Sequence, residues 1–66
     1  MNVSALKGKM VEKNINAETL AERIGIDRST MYRKLGNLEK VTIGEARKIA
    51  TVLGLTGTEA SAIFLD

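Results

Sequence analysis

The 66-residue sequence contains no cysteine, no histidine, no proline and no tryptophan, and it has a single phenylalanine and a single tyrosine. Without cysteine there is no disulfide framework, no thiolate metal site and no thiol nucleophile. Without histidine the commonest general base and the commonest metal ligand are missing together. Hydrolytic triads and zinc sites are therefore not expected, and neither paired carboxylates nor a glycine-rich phosphate loop stands out in so short a chain. The expectation is a protein that is not an enzyme, with no cofactor, no metal and no small-molecule substrate. The apolar runs fall far short of the ~20 residues that cross a bilayer, and the N-terminus lacks the apolar core of a signal peptide. A soluble, cytoplasmic protein without a membrane partner is expected.

A chain of this length suits one domain, residues 1–66, with no room for a separate catalytic or ligand-binding unit. A domain this small buries only about 60% of the surface that its unfolded chain exposes, so dimerisation would help it. The formal net charge is only +2, from ten Lys and Arg against eight Asp and Glu, and says little about partners. The distribution says more. Arg28, Arg33, Lys34 and Lys40 face the single acid Glu39 in one segment, whereas Glu12, Glu18, Glu22 and Asp27 lie upstream. Positive charge is thus concentrated in residues 28–40.

In the absence of proline, glycine and asparagine are the punctuation, and the chain reads as short helices. Val3, Leu6, Met10 and Val11 place an apolar stripe on a first helix from about Val3 to Lys13, weakened by Gly8. Asn14-Ile15-Asn16 breaks it, and Asn16 can cap a second helix from Ala17 to Ile24. Gly25 suits a left-handed C-terminal cap. Asp27 can then open a third helix, Arg28 to Leu35, which Gly36-Asn37 ends. After a loop through Lys40, Thr42 and Glu45 have the spacing of a capping box for a fourth helix. Its buried stripe would be Ile43, Ala46, Ile49, Ala50 and Leu53, with Gly54 closing it. Thr56 and Glu59 repeat the capping-box spacing ahead of a fifth helix, although Ala62 to Leu65 is short and apolar enough for a strand.

The second helix, the glycine turn and the third helix form a helix-turn-helix spanning roughly Ala17 to Gly36. Ala21 is small where the helices must approach, and Leu20, Ile24, Ile26, Met31 and Leu35 are apolar where they share a core. The stretch Leu20-Ala21-Glu22-Arg23-Ile24-Gly25-Ile26-Asp27-Arg28-Ser29-Thr30-Met31-Tyr32-Arg33-Lys34-Leu35 resembles the phage Cro and repressor family, of XRE type. The flanking segments look like that family's supporting helices. The resemblance implies an all-α, lambda-repressor-like bundle of four to five short helices, and a dimeric regulator that occupies an operator on double-stranded DNA.

On a helical wheel Met31 and Leu35 face inward, with Ser29 and Arg33 almost opposite and Thr30 beside them. Arg28 lies on the flank but in the first turn, where a long side chain reaches the groove. By resemblance, Arg28, Ser29 and Arg33 match positions that read base edges, and each arginine suits guanine O6 and N7. Phosphate contacts are expected from Thr30, Tyr32, Lys34, Asn37 and Lys40, and from Asn16 and Thr19 at the start of the second helix. Glu18 opposes a phosphate there unless it points away or pairs with a neighbouring base. Ile63, Phe64 and Leu65 either fold back onto the core or pair with a second subunit, and pairing is slightly favoured. The competing class is a protein-interaction module, such as an antirepressor, adaptor or antitoxin. Its binding face should show apolar anchors, and Tyr32 is the only one on the third helix.

Overall fold

A computed structural model describes residues 1–65 of the chain. Every helix in it begins where a short polar side chain accepts a hydrogen bond from one of the free backbone N–H groups of the first turn. Asn2 accepts from Ala5 N–H and opens α1 (Val3–Glu12). Asn16 accepts from Thr19 N–H at 2.8 Å and opens α2 (Ala17–Ile24). Asp27 accepts from Ser29 N–H at 2.9 Å and opens α3 (Arg28–Gly36). Thr42 and Thr56 form full capping boxes with Glu45 and Glu59, opening α4 (Ile43–Leu53) and α5 (Gly57–Phe64). The loop after α3 is itself a single 3-10 turn, Leu38–Lys40, capped by Asn37.

The architecture is all-helical among the described residues, a bundle of five short helices. Leu6, Leu20, Met31, Ile49, Leu53 and Ile63 are its largest fully buried side chains, contributed by all five helices. The core therefore lies where the five apolar faces converge. α2 packs against both α3 and α4, while α1 and α5 lie together and close the other side. Asn2 N–H donates to the Ile63 carbonyl at 2.8 Å, and Lys9 of α1 forms ion pairs with Glu59 of α5 and, at 3.3 Å, with Glu12. The two ends of the chain are tied to each other.

The fifth segment is a helix, not a strand. Its capping box supplies a start, and Ile63 and Phe64 both reach the core from one helical face. Two side chains assigned to apolar stripes lie outside. Val11 is 80% exposed, because Leu6 and Met10 define the inner face of α1 and Val11 is one residue beyond it. Ile43 is 78% exposed. It is the first residue of α4, and the side chains beneath it include Ala46, Ala50 and Ala60, which leave an apolar groove in place of a filled core.

Candidate nucleic-acid interface

The corner between α2 and α3 is built from three small features. Ala21 is 1% exposed, so the two helices close on a methyl group. Gly25 ends α2 at φ 80°, a left-handed backbone that glycine adopts without a Cβ clash. Ile26 N–H then donates to the Ala21 carbonyl at 3.0 Å and fixes the turn. With Met31 and Leu35 of α3 buried in the core, the opposite face of that helix is directed outward and carries exposed Ser29 and Arg33, while Arg28 and Tyr32 are exposed on its flanks.

On that face Arg33 donates to the Thr30 hydroxyl oxygen at 3.2 Å, one turn back along α3. Arg28 donates to Glu18 at 3.5 Å across the corner, and both side chains are about two-thirds exposed, at 64% and 63%. Glu18 thus pairs with a neighbouring base. In open solvent such a pair is weak, so the Arg28 guanidinium is released at little cost. Thr30, Arg33, Lys34, Asn37 and Lys40 together line a shallow depression at the C-terminal end of α3. Asn16 and Thr19 lie apart from it, at the N-terminus of α2. The Asn16 and Asn37 side-chain carbonyls already accept from Thr19 N–H and Glu39 N–H, so what each offers a phosphate is its amide N–H donors.

Lys34 is the exception among the expected phosphate ligands. Its ammonium lies 2.6 Å from the Glu45 carboxylate and 3.2 Å from the Lys40 carbonyl, in a pair whose side chains are only 16% and 18% exposed. The Lys34 ammonium, followed by the Thr42 backbone N–H, holds the Glu45 carboxyl below its ordinary range. Glu45 is the residue that sequence reasoning missed. It was legible as a capping residue of α4, but nothing in the sequence connects it to a lysine eleven positions earlier.

The apolar C-terminus divides. Ile63 and Phe64 are 2% and 8% exposed, inside the core of their own chain. Leu65 is 83% exposed beside the groove, whose walls also include Met1, Val41 and Ile43. No helix among the described residues is long and apolar enough to cross a membrane, and these residues form no group of three or more potential acidic or histidine metal ligands.

The sequence pattern of the Cro/C1-type HTH DNA-binding domain matches residues 5–59, which run from the third residue of α1 through the first turn of α5. The chain belongs to this family. A DNA-binding regulator is the function class that membership carries, and the α2–α3 corner is the helix-turn-helix of this Cro/C1-type domain. Neither a curated protein nor a solved structure matches the chain.

Proposed function

We propose that this Cro/C1-type domain is a sequence-specific transcriptional regulator, a phage or prophage Cro/repressor-like protein of the cytoplasm. It occupies an operator as a homodimer and blocks transcription sterically. The observation that carries the reading is α3 itself, where Ser29 and Arg33 stand exposed on the outward face and Arg28 on the flank of the first turn, on a helix whose other side is locked into the core by Met31 and Leu35. A helix held this way enters the major groove as a rigid body, and its two arginines address guanine edges. Asn16, Thr19, Thr30, Tyr32, Asn37 and Lys40 flank it and contact phosphates, which sets orientation without reading sequence. Exposed Leu65 and Ile43, at the rim of the apolar groove between α4 and α5, supply the contact with a second copy. A protruding apolar side chain beside a groove on the same face suits an isologous two-fold pair.

The experiment is selection of the purified protein against a randomised duplex library at two salt concentrations, with Arg33→Ala alongside. The expected outcome is enrichment of an inverted repeat containing guanines. Arg33→Ala should lose about 1–3 kcal/mol of discrimination at one base pair of each half-site. Weak, steeply salt-dependent retention without any enriched sequence would instead defeat the specific-regulator reading and favour a protein partner.

A further inference from the structure

We infer that Lys34 is a positioning residue and not a phosphate ligand: its side chain clamps the recognition helix to the first turn of α4 and thereby sets the loop that carries Asn37 and Lys40. Lys34 lies in the last turn of α3 and Glu45 in the first turn of α4, so the pair bridges the two helix ends that residues 37–42 must span. Its low exposure makes it the most enclosed ion pair among the described residues. The same Glu45 oxygen also accepts from Thr42 N–H at 2.9 Å, while Glu45 N–H donates to the Thr42 hydroxyl oxygen. The carboxylate is therefore anchored to the start of α4 before lysine reaches it. From α3, the Lys34 ammonium binds both this anchored carboxylate and the Lys40 carbonyl in the loop. Each charge also suits its helix end, a cation at the C-terminus of α3 and an anion at the N-terminus of α4. Turning Lys34 toward a phosphate would break both contacts and leave the Glu45 carboxylate without its cation near a polyanion.

This inference rests on the DNA-binding reading, and the test has an arm that does not. Binding to the selected duplex is measured over a range of salt for wild type, Lys34→Met, Glu45→Gln, the double variant and Lys34→Arg. A positioning role predicts a several-fold loss of affinity for Lys34→Met, with any change in the slope of log K against log salt shared by Glu45→Gln. Glu45→Gln should lose a comparable amount even though it removes a negative charge. The double variant should be no worse than the weaker single one, and Lys34→Arg should recover part of the loss. A slope smaller by about 0.9 for Lys34→Met, with Glu45→Gln binding as well as or better than wild type, would make Lys34 a phosphate ligand and overturn the inference.

Without DNA, Lys34→Met should raise the Glu45 carboxyl toward its ordinary range and speed amide hydrogen exchange at residues 38–42, both read by NMR. If neither changes, the clamp does not exist in solution. If wild type binds no duplex while both change, the regulator reading fails and the clamp stands.

Discussion

Gly25 closes α2 with φ 80°, whereas Gly8 sits mid-way along α1 with ordinary backbone angles and open space where a Cβ would go. The same substitution should therefore act in opposite directions. Gly25→Ala forces an L side chain into the left-handed region and should cost about 1–2 kcal/mol. Gly8→Ala adds helix propensity at a free position and should gain about 0.5–1 kcal/mol. Urea denaturation of both variants checks this, and two effects of one sign would contradict the assigned backbone at the α2–α3 corner. Met31 belongs to the same corner. It is 0% exposed, so Met31→Ala should cost about 2–5 kcal/mol through lost burial and a residual cavity. It should weaken DNA binding by loosening α3, without touching a DNA-facing group.

Among the helices, α1 and α5 hold each other through charge as well as through Leu6, Ile63 and Phe64. The Lys9 ammonium, aided by the Thr56 backbone N–H, lowers the Glu59 carboxyl from its ordinary 4.5 to about 2. A group depressed in the folded state stabilises that state above its unfolded value, and the contribution is lost as pH falls. For Glu59 the loss should run from about pH 4.5 down to about pH 2. Lys9 behaves in the opposite sense. Glu59, then Glu12, raises it above 10.5, so its contribution is complete below that value and disappears as pH rises through the raised one. Thermal melts across the acid range should show a shallower decline for Glu59→Gln than for wild type. Glu45, lowered in the same direction, retains part of the decline. Superimposable acid limbs would show that the α1–α5 ion pair contributes nothing in solution.

At the scale of the molecule, the Cα extents are 27 × 23 × 19 Å. On the proposed homodimeric reading, one copy covers about one operator half-site and two recognition helices lie about 34 Å apart. Ile63 and Phe64 lie in the chain's own core, and the proposed contact with a second copy is exposed Leu65 with Ile43 beside the groove. Leu65→Glu should leave monomer stability within about 0.5 kcal/mol of wild type, because the side chain is exposed. It should abolish cooperative binding to an inverted repeat while sparing a single half-site. Sedimentation and half-site titrations measure both effects, and undiminished cooperativity would place the dimer contact elsewhere.

The sequence alone determined what depends on neighbours within one helical turn. Asn16, Asp27, Thr42 and Thr56 mark helix starts because a capping bond spans two or three residues, and Gly25 marks the corner because one backbone angle requires it. The inward and outward faces of α3 follow from helical period in the same way, with Met31 and Leu35 inside and Ser29 and Arg33 outside. Only the tertiary structure decided what depends on where one helix lies relative to another. Glu18 meets Arg28 ten residues away, and Lys34 meets Glu45 eleven residues away, across separate elements. Periodicity put Ile43 on the buried stripe of α4, but burial needs a neighbour large enough to cover it, and the alanines of the α4–α5 groove leave it open. Phe64 and Leu65 are adjacent and equally apolar, yet the first is covered and the second is not. A local pattern sets the direction in which a side chain points; whether another surface lies there is a property of the assembled bundle.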